Sequence, residues 1–341
     1  MQKYMAMFLT GFDMLIQHAA PDSYRADIPA EVNNFYDNVL LSRALPLNVH
    51  GVFGQRRNIP AGSGSNVIKF RRYGSLAVAG TLTDGVTPTG KSLSVTDITA
   101  TALQYGDFTR ISDRVTTESI DPVLTEGAEI LGEQAGLTND ELCRDVMVAG
   151  TTVQYASSAV SRVTVSAAMK LVAAEIKEAV RTLKNAKARK VTSISGASVG
   201  VGTVPIPACY VGIIHPNATF DLSEESGYES VEKYAPNTVL MPGEIGRMGE
   251  VRFVETTNAK VFAGAGAAGV DVYAALIVGA DAYGVVDLGG SQNMSVIYKG
   301  LGSGGTADPL DQRQTLGWKE YFVAKILNDA FMVRIEHGVT A

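Results

Sequence analysis

Apolar and polar positions alternate with a helical period over residues 119–150. Apolar side chains recur there at three- and four-residue steps, whereas Glu126, Glu129 and Glu133 fall outside the apolar stripe. An Asp-Pro pair near the start and Gly150 at the end are typical helix boundaries. The pattern predicts one long helix with three internal glycines, which needs something packed along it because glycine weakens helices. An ordinary buried core helix would show the same pattern.

Three shorter stretches also carry a helical pattern. Residues 166–187 predict a second amphipathic helix, whose basic last turn complements the helix dipole or, alternatively, contacts phosphates. Residues 30–44 predict a short helix. At the N-terminus Met5, Phe8 and Phe12 belong to an apolar stripe that an aspartate interrupts, which disfavours a signal peptide. We expect this stripe to dock on a neighbouring subunit.

Strand-like patterns dominate residues 51–112. Runs at 66–73, 92–102 and 105–112 flank a turn-rich tip at 83–90. Two long arms joined by a glycine-rich tip predict a protruding hairpin. Because an isolated two-stranded ribbon is only marginally stable in water, the hairpin is expected to need a partner surface.

The remainder of the chain, about 188–341, predicts a mixed α+β domain. Its predicted elements are a short helix at 218–225 and strands at 208–214, 251–255, 272–278, 281–286, 294–298, 321–327 and 331–336.

Charge is unevenly distributed between the predicted hairpin and the predicted long helix. Residues 113–145 hold nine acidic and two basic residues, a net charge of −7. Residues 51–91 hold six basic residues and one acid, a net charge of +5. The six are Arg56, Arg57, Lys69, Arg71, Arg72 and Lys91.

These opposite charges predict that the hairpin of one copy lies on the long helix of a neighbour. Glu126, Glu129 and Glu133 would face the neighbouring hairpin, and the helix glycines would let it come close. A contact of this kind is head-to-tail and generates rings or open lattices. Exposed ion pairs contribute only about 0–1 kcal/mol each, so charge would set register more than strength. Alternatively, both segments are simply solvated faces.

Composition narrows the class of protein. The chain has 341 residues, of which 46% are apolar and 19% charged, so it can bury a large core and is not disordered. Its net charge of −6 disfavours a nucleic-acid reader, which usually has a basic face. No apolar run is long enough for a membrane span. Two cysteines in apolar contexts predict buried thiols and a reducing compartment.

Candidate chemistry is sparse. Residues 264–269 match G-x-G-x-x-G, but strand-like sequence follows them instead of the helix that would bind a pyrophosphate, so a hairpin loop is the favoured interpretation. Asp308 and Asp311 are a candidate cation pair, or a solvated loop. The four histidines lack metal-ligand spacing. We therefore expect no catalytic, metal or cofactor site, which favours a structural protein.

Several long strings occur in a fixed order along the chain. They are TDGVTPTGKSLSVTDITATALQYGDFTRISD, SIDPVLTEGAEILGEQAG, VMVAGTTVQYA, IIHPNATFDL, GEIGRMGEVRFVET and KGLGSGGTADPLDQRQTLGWKEYFVAKILNDAFMVRIEHG. Together they resemble the N-four-type family of tailed-phage major capsid proteins, from about residue 20 to the C-terminus.

The resemblance implies an α+β protein with the Hong Kong 97-type coat fold. Residues 1–50 would form the N-terminal arm and 51–113 the extended loop. The spine helix and peripheral domain would occupy 114–190, completed by C-terminal strands at about 317–341. Residues 191–316 would form the axial domain.

The resemblance also implies a function and a set of partners. The chain would self-assemble through hexamers and pentamers into an icosahedral virion shell, built in the host cytoplasm around double-stranded DNA without sequence specificity. Portal and scaffolding proteins would be partners, and the resemblance allows a decoration protein as well. It implies no contact with a membrane. Two alternatives are an encapsulin-type cellular compartment that holds cargo enzymes and a nucleotide-binding enzyme that uses the loop at 264–269.

Overall fold

The computed structural model describes residues 48–59, 65–74, 76–118, 122–195, 203–234, 240–288, 295–305 and 308–340. Its α-helices are α1 (Asp113–Glu118), α2 (Val123–Val148), α3 (Ala173–Asn185) and α4 (Pro216–Ser223). The strands are β1 (Gln55–Ile59), β2 (Val67–Tyr73), β3 (Val95–Thr101), β4 (Leu103–Ser112), β5 (Val153–Tyr155), β6 (Val191–Ser195), β7 (Thr203–Ile214), β8 (Tyr228–Ser230), β9 (Glu244–Met248), β10 (Val251–Glu255), β11 (Val261–Phe262), β12 (Val272–Val278), β13 (Tyr283–Leu288), β14 (Ser295–Lys299), β15 (Arg313–Ile326) and β16 (Met332–His337).

The chain divides into two compact units. The larger comprises the described residues within 43–106, 133–295 and 319–341, and the smaller comprises those within 107–132 and 296–318.

A nine-stranded mixed sheet forms the centre of the larger unit. Its order is β5-β16-β12-β7-β10-β9-β8, with β11 paired to β12 and β6 paired to β7. The β7–β10 and β5–β16 pairs are parallel, whereas β12 pairs antiparallel with both β7 and β16. The sheet therefore joins strands from segments that the sequence analysis assigned to the peripheral domain (β5, β16) and to the axial domain (β7, β10, β12).

The central strands of this sheet are buried on both faces. Side chains alternate along each strand, so that each face packs against a core of its own. On β7, Val211 and Ile213 point into a core that also holds Cys143 and Met147 of α2. Tyr210 of β7 points to the opposite face, which α3 and α4 cover. The apolar side chains of these two helices in that second core are Ile176, Ala179, Leu183, Ala218 and Leu222.

A second sheet has the order β1-β13-β15-β14, with β4 also paired to β15. In the larger unit, β1 runs parallel to β13, and β13 runs antiparallel to the end of β15. In the smaller unit, the backbone N–H of Asp113 donates to the Gln312 carbonyl at 3.1 Å. Gly317 lies so close to Phe108 that an added Cβ would be 2.7 Å from the Phe108 Cβ, so this position requires glycine.

The long helix predicted at 119–150 is confirmed as α2, and the predicted short helix at 218–225 is confirmed as α4 with slightly earlier bounds. The strand predictions at 251–255 and 272–278 match β10 and β12. The predicted helix at 30–44 and the N-terminal stripe of Met5, Phe8 and Phe12 lie outside the described residues.

The second predicted helix begins later than its pattern indicated. Helix α3 starts at Ala173, and Val172 before it is extended. Upstream, the Met169 carbonyl accepts a hydrogen bond from the Gly338 N–H at 2.8 Å, and Leu171 is buried in the second core. Contact with the C-terminal segment therefore outweighs the local helical pattern over 166–172.

Candidate functional site

Strands β2 and β3 form an antiparallel ribbon from the Val67–Thr101 pair to the Tyr73–Val95 pair. Beyond it, every described residue between 76 and 94 is exposed. The predicted hairpin with a turn-rich tip is confirmed. Its distal part has no packed core of its own, so its position depends on its base.

The base of the ribbon is anchored by one buried face. Phe70 and Ala100 pack with Ile59, Val286 and Leu327 in a small apolar cluster. The Phe70 ring lies over Gly284, where an added Cβ would be 2.7 Å from the Phe70 Cζ. This close approach fixes the ribbon to the second sheet of the larger unit.

The opposite face of the ribbon is exposed and presents basic residues flanked by apolar ones. Along β2 it presents Val67, Lys69, Arg71 and Tyr73, which occupy alternate positions. Tyr73 is 59% exposed, and Val95 across from it is 47% exposed. We call these residues the outer ribbon face. Apolar side chains of this size, placed together on a solvated strand, indicate a surface that binds a partner.

The charge of this face is lower than the count over residues 51–91 indicated. Arg71 pairs with Asp97 on β3, with an Nε–Oδ1 distance of 3.0 Å, and this hydrogen bond lowers the pKa of Asp97. Lys91 donates to the carbonyls of Ala77 and Val78 at 3.2 Å each. Asp97 lies outside the counted window, so strand pairing partly neutralises the predicted basic ribbon.

The other predicted basic residues lie away from the outer ribbon face. Arg56 and Arg57 belong to β1, in parallel register with Val285 and Val286 of β13. Arg72 is exposed on the same side of β2 as Phe70. The six residues therefore do not form one patch, and Lys69 and Arg71 are those that share the outer ribbon face.

Helix α2 also has one buried side and one exposed side. The buried stripe includes Ala128, Leu131, Ala135, Cys143 and Met147. Gly132 and Gly136 lie on this buried side. The expectation that these glycines admit a neighbour's hairpin is therefore wrong, because they serve packing within the chain.

The exposed side of α2 alternates between acidic and apolar residues at three- and four-residue steps. It presents Glu126, Ile130, Glu133, Leu137 and Glu141, and we call these five residues the outer helix face. Ile130 is 61% exposed and Leu137 is 42% exposed. Both apolar members were absent from the sequence analysis, although their spacing from the glutamates is visible in the sequence.

Of the three predicted glutamates, only two lie on this face. Glu126 and Glu133 are exposed, as expected for intersubunit contacts. Glu129 is half-buried and interacts with another group of its own chain, so it does not belong to the outer helix face.

A buried polar cluster ties the chain before β1 to α2. The Asp140 carboxylate accepts hydrogen bonds from the backbone N–H groups of Val49 (2.8 Å) and His50 (2.6 Å). It also contacts His50 Nδ1 at 2.9 Å and accepts from Asn258 Nδ2 at 2.7 Å. Burial raises the pKa of Asp140, but the hydrogen bonds from His50 and Asn258 outweigh it and lower the pKa. The charge count over residues 113–145 treated Asp140 as an exposed acid. Its position on the apolar side of the helix was the sequence signal that it is buried.

The enzyme-like loop at 264–269 joins β11 and β12, which pair antiparallel. Gly264 has a φ of 61°, and its N–H donates to the Asp271 side chain at 2.7 Å. A side-chain hydrogen bond therefore closes this turn. Within the described residues the loop holds a single 3-10 turn at Ala267–Gly269 and no α-helix, and the hairpin-loop interpretation is confirmed.

The other candidate chemical groups are held in structural contacts. Asp308 accepts a hydrogen bond from the Arg313 N–H at 2.8 Å. His215 caps α4, where its Nδ1 accepts from the Asn217 N–H. Cys143 and Cys209 are buried thiols that form no disulfide, as predicted. Among the described residues, no group of three or more His, Cys, Asp or Glu side chains could hold a metal ion.

Within the described ranges, no helix combines the length and the apolar character needed to cross a membrane.

Comparison with known proteins identifies the fold. No family model and no curated protein sequence matches this chain. Its structure is similar to the capsid of Ralstonia phage GP4, with a TM-score of 0.65 and 14% identity, covering 86% of this chain and 89% of that chain. A cyanophage Pam1 capsid chain gives a TM-score of 0.59 at 14% identity, covering 88% and 93%.

A weaker similarity links the chain to the holo-SrpI encapsulin complex of Synechococcus elongatus PCC 7942. The TM-score is 0.51 at 10% identity, covering 84% of this chain and 86% of that chain. The phage capsids are the stronger matches over comparable lengths. The chain therefore has the Hong Kong 97-type fold of phage capsid proteins, and the fold prediction is confirmed.

Proposed function

We propose that this chain is a major capsid protein that self-assembles into the icosahedral shell of a tailed phage. The observation that carries the proposal is the pair of exposed faces, each with apolar and charged residues, on a coat-type fold. The outer ribbon face presents two basic residues flanked by apolar ones, and the outer helix face alternates apolar and acidic residues. A chain that presents both faces can bind a second copy of itself.

The spacing of the two faces supports direct contact between copies. Alternate residues of a strand are about 6.6 Å apart, and residues three or four apart on a helix are separated by roughly 4.5–6 Å along its axis. Arg71 can therefore lie opposite Glu133 of a second copy while Tyr73 lies opposite Leu137, so that one ion pair and one apolar contact form side by side.

Apolar contact would supply most of the binding free energy. Burying apolar surface contributes about 25 cal/mol per Å², so the exposed side chains of Tyr73, Val95, Ile130 and Leu137 together are worth several kcal/mol. The ion pairs would add about 0–1 kcal/mol each because they stay near solvent. Charge then selects the register, and apolar burial supplies the strength.

The finer assignment follows from the sequence resemblance. We infer an N-four-type coat protein in which residues 51–113 form the extended loop and α2 forms the spine helix. Hexamers and pentamers would build a virion shell, assembled in the host cytoplasm, around double-stranded DNA. Portal and scaffolding proteins would be partners, and the role would be structural rather than enzymatic.

A compartment shell of the encapsulin type is the second candidate. The similarity to the SrpI encapsulin complex is the observation that favours it. Both candidates need the same contact between copies, so the contents of the particle distinguish them. DNA inside particles isolated from the producing cell supports the phage shell, and a packaged protein supports the compartment.

Negative-stain microscopy of the purified chain, with two matched variants, tests the proposal. We expect closed shells from the unaltered chain. V95S changes the outer ribbon face, whereas V160S makes the same substitution at a residue that is 82% exposed and lies on neither face. V95S should raise the protein concentration needed for assembly, and V160S should not. Monomers from the unaltered chain, or equal effects of both variants, would contradict the proposal.

A further inference from the structure

A groove of about 380 Å³ lies between α3 and the turn that joins β9 to β10. Ile176, Val180 and Met248 form its apolar lining, and Ile176 and Met248 are almost fully buried. The exposed side chains of Lys177 and Arg181 stand at its edge. All of these residues belong to the larger unit.

The groove carries a net positive charge. Its charged lining residues are Lys177, Arg181, Lys184 and Glu250, three basic residues against one acid. Lys184 pairs with Glu250, and Arg181 pairs with Glu178 of its own helix. Lys177 makes no ion pair within the described part of the chain. The matching ligand is therefore an apolar group with a negative charge close beside it.

Helix α4 presents such a pair of side chains. Phe220 is 60% exposed, whereas Ala218 and Leu222 on the other side of the same helix are buried. Glu224 follows one turn after Phe220 and is exposed, and it makes no ion pair with any described residue. Phe220 is not among the residues that line the groove of its own chain.

We propose that Phe220 and Glu224 of one copy occupy the α3 groove of a second copy. The aromatic ring would cover Val180 and Met248, and the carboxylate would approach Lys177 and Arg181. This is the helix-in-groove mode of recognition, with one aromatic anchor and one charged neighbour.

The geometry of the contact has a consequence for assembly. The groove and the Phe220 surface are different surfaces of the same unit, so each copy offers both halves of the contact. An interface of this kind is heterologous, and it propagates from copy to copy until a ring closes. The inference rests on the proposed shell function, and it adds a second intersubunit contact that involves neither the outer ribbon face nor the outer helix face.

Cysteine crosslinking in assembled particles tests the contact. Chains with V180C and chains with S223C, which keeps Phe220 and Glu224, are co-assembled and treated with a short bismaleimide. We expect a crosslinked dimer in several-fold excess over a mixture of V163C and S223C chains, because Val163 is exposed but does not line the groove. The native thiols are buried and should not react. N185C, at an exposed lining residue outside the charge contact, replaces V180C if the half-buried valine cannot be changed without loss of folding.

A charge exchange provides the second measurement. In the V180C and S223C chains, adding R181E should reduce the dimer yield, and adding E224K to the S223C chain should restore it. Normal shells without the 180–223 dimer would overturn the contact while leaving the shell function intact. Absence of any assembly from the unaltered chain would instead overturn the shell function itself.

Discussion

Strands β12 and β2 are both seven residues long, but they have opposite environments. Every residue of β12 is buried, because one core lies on each side of the nine-stranded sheet. On β2 only Phe70 is buried, and Val67 and Tyr73 are exposed on the outer ribbon face. The difference shows that one part of the chain completes its own core, whereas the other presents apolar surface that only another molecule can cover.

This contrast separates the free energy of subunit folding from the free energy of assembly. Changes in the nine-stranded sheet should affect the unfolding of a single subunit. Changes on the outer ribbon face should leave subunit stability almost unaltered and act on assembly. Subunit unfolding and particle formation can be measured independently, so the separation is open to test.

The largest effect is expected from truncation of a buried aromatic side chain. Phe253 of β10 is fully buried, and F253A should lower the free energy of unfolding by about 4 kcal/mol, because it removes apolar contact and leaves a cavity. F220A makes the same substitution at an exposed residue and should cost less than about 1 kcal/mol. Urea denaturation of unassembled subunits measures both, and similar losses would contradict the burial contrast.

A smaller effect is expected from acid. Burial lowers the pKa of His337 to about 4, whereas an unfolded histidine titrates near 6.5. The neutral ring is favoured in the folded state, so its stabilising contribution is complete above about pH 6.5 and is lost as the pH falls towards 4. At pH 5 the loss should be about 2 kcal/mol relative to pH 8.

The variant H337Q isolates the contribution of His337 to the acid loss, because a glutamine side chain does not titrate. Burial also lowers the pKa of His215, so the variant should retain part of the acid sensitivity. Denaturation curves at pH 8 and pH 5 for both proteins give the comparison. An unchanged acid loss in H337Q would show that protonation of His337 is not the cause.

The smallest effect is expected from a single charge on the hairpin. K69Q should raise the concentration needed for assembly about twofold, equivalent to about 0.5 kcal/mol, because exposed ion pairs are weak. The exposed Lys325 on β15 provides the control K325Q. High salt should abolish the difference between K69Q and the unaltered chain. A difference that persists in high salt would show that Lys69 acts through packing.

The sequence predicted the elements best where the pattern was long and local. The apolar period of α2 and the strands of the hairpin follow from side-chain spacing, which local geometry dictates. The start of α3 was not predictable in this way, because Gly338 binds the Met169 carbonyl from far along the chain. A backbone hydrogen bond between residues so far apart in the chain leaves no pattern in the local sequence.

The candidate site was predicted only in part, because it too depends on contacts between residues that are distant in the sequence. Net charge identified the ribbon and the long helix as opposites, but Arg71 is paired with Asp97 across the hairpin and Asp140 is buried against His50. A count along the chain treats every charge as exposed. The apolar members of both faces, such as Tyr73 and Ile130, became apparent only when their exposure was known.

The sequence by itself determined the α+β class, the long helix, the hairpin and a resemblance to phage coat proteins, because periodicity and motif order are local properties of the chain. Only the tertiary structure decided which side of each element is covered. Burial depends on neighbours brought together from distant segments, as Phe70 and Gly284 are, and no spacing rule encodes those neighbours. The exposed sides that remain, on β2, α2 and α4, are the surfaces on which the proposed assembly rests.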